Sequence, residues 1–130
     1  MDREIKFRGK RIDNGEWVYG DLIHYFKEEV GIIPQNEYYE QVHPETIGQY
    51  TGLKDRDGKK IYENDIVRVS AIGYRTESGV YDIYSIRFAW GSFYLYDLNS
   101  GFDDLLQDVS DECEIIGNIH EHPELLKQQQ

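Results

Sequence analysis

The chain has 130 residues, a length that supports one domain and one core, and 39% of them are hydrophobic. Its 14 Lys+Arg stand against 25 Asp+Glu, a formal net charge of −11; the whole-molecule field therefore has the wrong sign for nucleic-acid backbone, whose binding rests on cations that release phosphate counterions. No apolar run approaches the roughly 18–20 residues that span a bilayer, no charged-then-apolar leader opens the sequence, and the lone Cys113 cannot form an internal disulfide, so a soluble protein of the reducing cytoplasm is expected.

Ile5-Lys6-Phe7-Arg8 alternates and leads to Asp13-Asn14-Gly15, a hairpin signal of the Asn-Gly kind. The return strand runs from Glu16 to Ile23, with Trp17 and Tyr19 on one face and Val18 on the other. Arg3, Lys6, Arg8, Lys10 and Arg11 make this arm the most basic segment; a solvated face whose positives pair with the acidic remainder is favoured over a nucleic-acid or acidic-partner patch. His24 to Glu29 reads as strand end and loop, and Val30 to Ile33 as a short strand stopped by Pro34, which cannot donate to a ladder. Tyr38 and Tyr39 lie in a polar loop, where half-buried packing is a better reading than an exposed recognition patch.

Residues 49–70 organise the rest. Tyr50, Thr51 and Leu53 are strand formers; Asp57-Gly58 favours positive φ and tight reversal; Glu63-Asn64-Asp65 is a second turn whose short side chains bond their own backbone. Ile66-Val67-Arg68-Val69 is β-branched and alternating, with Val67, Val69 and Ala71 on one face. Gly73 and Thr76 to Gly79 read as loop. Tyr81 to Ala89 alternates, with Tyr84, Ile86 and Phe88 as the inward set; Trp90-Gly91-Ser92 turns the chain and Phe93 to Tyr96 returns it. Phe102, Leu105, Leu106 and Val109 have a helical spacing, with Ser100 or Asp103 as cap, although two turns alone are marginal in water. Cys113 to Ile119 is a final strand, and His122 caps a turn with Pro123 at its first position.

The stretch YTGLKDRDGKKIYENDIV, residues 50–67, is similar to the TGLKD-x-x-G-x-x-IYE-x-DIV signature of the YopX family of small phage and prophage proteins. IKFRGKRIDNGEWVYGDLI resembles that family's start and EIIGNIHEHPELL its closing segment, so three motifs in order cover nearly the whole chain. The resemblance implies a mostly β fold with an SH3-like barrel, a phage or prophage setting, no established activity and no catalytic residues to carry over. Asn64 stands where Gly is frequent in the family, and Asn tolerates left-handed φ.

Candidate chemistry is sparse. Asp55-x-Asp57-Gly58 resembles part of a calcium loop, but with Gly58 in sixth place the first place falls on Leu53 and the twelfth on Asn64, so it reads as a turn. His120 and His122 share a face on a strand and are the one candidate metal pair; without a second spaced pair a capping or surface role is favoured. Asp103, Asp104, Asp108, Asp111, Glu112 and Glu114 form the densest acidic cluster, a solubilising face by preference and a metal-binding or DNA-like surface by alternative. Acidic neighbours raise the Cys113 pKa, which favours a buried structural thiol over a nucleophile. Phosphate-loop, dinucleotide and nucleophile-elbow motifs are missing, and neither metal nor cofactor is implied.

The expected fold is mainly β: an N-terminal β-hairpin region over residues 1–49, a small SH3-like β-barrel over 50–123 and a tail over 124–130, together forming one compact unit with at most short helical turns. The expected function is that of a non-enzymatic phage or prophage accessory protein acting through protein–protein contacts, self-association included. Its surface is assigned to the aromatic residues Trp17, Tyr38, Tyr39, Trp90, Tyr94 and Tyr96. The alternatives are an acidic nucleic-acid mimic that occupies a host DNA-binding protein through Asp103, Asp104, Asp108 and Asp111, and a metal-dependent hydrolase. Nucleic acid and membrane are not expected partners.

Overall fold

The computed structural model describes residues 3–25, 29–35, 37–69 and 82–128. The protein is mainly β with short helical turns, and it divides into two compact units, Met1–Gly52 and Leu53–Gln130. The loop expected at Gly73 and Thr76 to Gly79, and the strand positions expected for Ala71 and Tyr81, lie outside the described residues.

In the first unit, strands β1 (Phe7–Lys10), β2 (Trp17–Tyr25), β3 (Glu29–Ile33), β4 (Glu40–Gln41) and β5 (Gly48–Lys54) lie in the order β4-β3-β2-β1-β5. The Asn-Gly hairpin forms as its chemistry dictates: Gly15 adopts φ 73°, and the Asn14 Oδ1 accepts from the Glu16 N–H at 2.9 Å. Alternation along β3 sends Val30 and Ile32 into a small core with Val42, against which Phe7, Val18, Leu22 and Ile47 pack. Gly31 points the other way, against the Tyr39 ring, whose carbons a Cβ there would overlap. Thr46, in the 3-10 turn Pro44–Thr46, donates to the His43 carbonyl at 2.6 Å and accepts from the Lys10 N–H at 2.9 Å, which fastens that turn to β1.

Strand β5 continues past Gly52, where the two units divide, to Lys54, and β6 (Lys60–Tyr62) belongs to the second unit. The second unit then builds a five-stranded antiparallel sheet from β7 (Asp65–Val69), β8 (Asp82–Ala89), β9 (Ser92–Asp97), β10 (Gly101–Leu105) and β11 (Cys113–Asn118), in the order β10-β9-β8-β7-β11. Its inner face supplies Val67, Val69, Tyr84, Ile86, Leu95 and Cys113 to a core that Ile61 and Leu106 complete. The mainly β expectation stands, but the cylinder does not close: the sheet is open, ending at β10 and β11. From β10 the chain crosses through α1 (Leu106–Val109) and a 3-10 turn, Ser110–Glu112, to the opposite edge. Leu106, fully buried, and Val109 thereby fill the inner face from a crossover instead of from further strands.

Two sequence expectations change within this unit. The helix read from Phe102 to Val109 shrinks to Leu106–Val109 because Gly101 and Phe102 pair with Asp97 and Tyr96, and a hairpin ladder outcompetes two marginal helical turns. Neither Ser100 nor Asp103 caps it; the Asp103 Oδ2 accepts from the Tyr84 hydroxyl at 3.0 Å. Tyr84 and Ile86 are buried as expected, whereas Phe88 is 55% exposed, since it stands past the core near the end of β8 and packs edge-on to Phe93 at 5.1 Å.

The two turns of the central stretch are held by carboxyl groups. Asp55 is buried; its Oδ1 accepts from the N–H groups of Asp57 and Lys59, each at 2.9 Å, and its Oδ2 accepts from the Ile115 N–H at 3.0 Å. The Arg56 N–H adds a bond to the Cys113 carbonyl at 2.9 Å, so the turn lies along the outer edge of β11. Asp65 accepts from the Tyr62 N–H at 2.7 Å, and Asn64 takes φ 74°, the left-handed conformation expected of it. Asn64 also donates to the Ile86 carbonyl at 2.8 Å and accepts from the Ile119 N–H at 3.0 Å.

Replacing Asp55 with Ala strands the Ile115 donor and opens the turn, and is expected to lower unfolding free energy by about 3 kcal/mol, the scale for losing several hydrogen bonds to one buried acceptor. Asp55→Asn keeps an Oδ1 acceptor but presents an amide donor to Ile115, and should fall between. Urea midpoints at unchanged slope measure this; an Asp55→Ala midpoint equal to the parent's would reject the assignment.

Candidate functional site

Residues opposite one another across antiparallel strands project to the same side of a sheet. Arg87 opposes Tyr94, while Ser85 on β8 and Phe102 on β10 both oppose Tyr96, so all five side chains stand on the outer side, away from Ile86 and Leu95. Ser85 is 1% exposed, and the closing 3-10 turn Pro123–Gln128 lies against β8. Beyond Ser85 the outer side is aromatic.

Four rings gather there edge to face. Phe102 lies 4.8 Å from Trp90, 5.8 Å from Tyr94 and 5.0 Å from Tyr96, centroid to centroid, and Trp90 lies 5.7 Å from Tyr94. The Arg87 guanidinium stacks 4.7 Å from the centre of the Tyr96 ring and donates to the Ser85 hydroxyl at 3.2 Å. Trp90 remains 75% exposed and Phe102 43%. Trp90 also occupies an unusual backbone position. With Gly91 it forms the two-residue reversal between Ala89 and Ser92, at φ 48° and 79°. Such positive-φ pairs favour Asn, Asp or Gly, and a bulky residue there is disfavoured by roughly 1 kcal/mol or more. A large exposed indole held in a disfavoured conformation is a local conflict of the kind that functional sites retain.

The other aromatic candidates are dispersed. Trp17 is half-buried and takes the Arg8 guanidinium 4.6 Å above its ring, with the Lys10 ammonium at 5.6 Å. Tyr38 is 89% exposed. Tyr39 packs on Gly31, meets Tyr25 edge-on at 5.2 Å and donates to the Glu29 Oε2 at 2.8 Å; burial first, then Glu29, pushes its hydroxyl up to about 12. In the same arm Lys6 reaches Glu4 at 3.7 Å, and Arg11 pairs with Asp13 at 2.7 Å and Glu40 at 3.2 Å. The four aspartates are likewise spread: Asp103 and Asp104 half-buried on β10, Asp108 exposed on α1 and Asp111 exposed on the turn that follows. Sequence reasoning missed Phe102, the ring that joins the other three, and Arg87. The signal available was the equal distance of Tyr96 and Phe102 from Asn99, which is what a hairpin centred there requires.

The polar candidates serve the backbone. The Asn118 Oδ1 accepts from the N–H groups of His120 and Glu121, and the Asn118 N–H donates to the His122 Nδ1 at 3.2 Å. His122 also lies against Gly117, where a Cβ would meet its Nδ1 at 2.6 Å. One nitrogen of the His120/His122 pair is thus engaged in holding a loop, and among the described residues no cluster of metal-ligating side chains is found. Glu114 accepts from the Arg68 Nε at 2.6 Å and the Arg56 Nη2 at 2.9 Å, and the Arg68 hydrogen bond foremost holds its carboxyl below the usual range. Among the described residues no helix is long and apolar enough to cross a membrane.

Cys113 is fully buried, its Sγ donates to the Val109 carbonyl at 3.4 Å, and burial, followed by Glu112, Asp55 and Asp111, pushes the thiol up to about 12. A thiol is nucleophilic as thiolate, so Cys113 should resist a disulfide reagent at pH 8 until denaturant is added. Because its folded pKa is raised, this group's contribution to stability is present below the ordinary thiol range and lost as pH rises toward 12. Labelling of native protein at the rate of a free thiol would contradict the placement.

Comparison with known proteins adds the following. The family described as YopX protein matches residues 6–127. Solved structures that match include that of protein EF1440 from Enterococcus faecalis, 24% identical, with a TM-score of 0.58 over 96% of this chain and 99% of that one; the likeness is one of fold. No curated protein matches.

Proposed function

The chain belongs to the YopX family, and from that premise we propose that it is a binding module, encoded by phage or prophage, that acts in the host cytoplasm through protein–protein contacts rather than by catalysis. The contact surface is the outer aromatic face of the second unit: Trp90, Tyr94, Tyr96 and Phe102, with Arg87 at its margin. One observation carries the reading. Trp90 stands 75% exposed at φ 48° against two further rings, an arrangement that local stability alone disfavours and that an interface would use. Tryptophan, tyrosine and arginine are the residues on which protein contacts concentrate their energy. Tyr96 and Arg87 are already stacked and ordered, so little side-chain entropy remains to be lost on docking.

The test places a photo-reactive benzophenone amino acid at position 90 in cells that carry the protein, with the same group at position 38 as control, since Tyr38 is also exposed but belongs to the first unit. A discrete protein adduct from position 90 and none from position 38 is expected, and mass spectrometry distinguishes a second copy of the chain from another protein. Absence of any adduct from position 90 rejects the surface.

A further inference from the structure

Resting on that reading of the aromatic face, we infer that the segment it receives is an arginine-bearing stretch of another protein. The molecule displays the required chemistry on itself. Arg87 lies 4.7 Å over Tyr96 within the cluster, and in the first unit Arg8 and Lys10 lie 4.6 and 5.6 Å from the Trp17 ring. Ring faces attract cations through their quadrupole, most strongly at Trp, and the planar guanidinium stacks better than an ammonium. Trp90 is the strongest such acceptor on the face and the most exposed of its rings, with Phe102 beside it at 43%.

Charge selects the partner's sign. A formal net charge of −11 draws in cations and repels polyanions. Single-stranded nucleic acid also stacks on aromatic sheet faces, but its phosphates would enter this field at a loss. A second copy of the chain brings 25 acidic against 14 basic residues, which disfavours face-to-face self-association. An arginine-bearing segment satisfies both the rings and the field.

The probe is a short synthetic peptide carrying three spaced arginines, compared with versions carrying lysine or glutamine and with an oligothymidine. Binding to the full chain is followed by anisotropy of the labelled probe. The arginine peptide should bind tighter than the lysine peptide, with the glutamine peptide and the oligothymidine far weaker. Trp90→Ala should weaken arginine-peptide binding about fivefold or more, the scale of one cation–π contact, at an unchanged thermal midpoint, while Tyr38→Ala leaves it intact. Equal binding of the arginine and glutamine peptides, indifference to Trp90→Ala, or preference for the oligothymidine overturns the inference. If position 90 cross-links to a protein while the arginine peptide does not bind, the docking surface stands and only the arginine chemistry falls; if both fail, the surface falls with it.

Discussion

The second unit depends on one buried acceptor. Asp55 gathers three backbone N–H groups, two from its own turn and one from β11, sixty positions along the chain. Without it the reversal at Asp57-Gly58 would be a local event with nothing to place it on the sheet. With it the turn becomes a cover for the outer edge of β11, with the Arg56 N–H engaging the Cys113 carbonyl there as well. Exposed strand edges invite pairing with other chains. Here the edge is closed by a loop whose shape one side chain fixes, and Glu114, held between Arg56 and Arg68, braces the same place from the outer face.

Closing that edge leaves the unit asymmetric. Alternation sends Val67, Tyr84, Ile86 and Leu95 inward and the residues between them to the other side, where Ile66 and Ser85 are buried as well. Toward β11 the displayed side is polar and ion-paired, at Glu114 and Arg68; toward β10 it is four rings and a stacked guanidinium. The core is no reason for those rings, because Leu95 and Leu106 complete it without them. Nor does the reversal between β8 and β9 require an indole, since Asn or Gly would make it with less strain. The aromatic side is where the proposed contact surface lies.

How far the sequence discloses this follows from the range over which each signal acts. The Asn14-Gly15 hairpin, the Asn64 turn and the alternation along β7 and β8 are local, and they were legible because a few neighbouring side chains decide them. Phe102 was not, because its helical spacing with Leu106 and Val109 is real and the last two do face the core. What decides against helix at Phe102 is its ladder partner, Tyr96, and pairing of that kind overrides propensity. Misplacing Phe102 hid the ring cluster, since it is the ring that touches each of the other three. The closed barrel was misjudged for a related reason: strand spacing gives the number of strands, whereas closure depends on where the crossover through α1 delivers β11.

The division of labour within the chain bears on how its most recognisable stretch should be understood. Between Tyr50 and Val67 the carboxylates that look most like chemistry are occupied by backbone: Asp55 by Asp57, Lys59 and Ile115, and Asp65 by Tyr62. A carboxyl oxygen that accepts a backbone N–H has that lone pair committed to the fold. A signature made of such residues specifies how the sheet is assembled and edged, and is silent on what it meets. The rings at Trp90, Tyr94, Tyr96 and Phe102 lie outside it, on a hairpin pair whose core side is satisfied without them. On the proposed reading, two members sharing every residue of the signature could differ wholly in partner, and a substitution that alters recognition while sparing stability would fall on β8 to β10 and not in the stretch by which the fold is recognised.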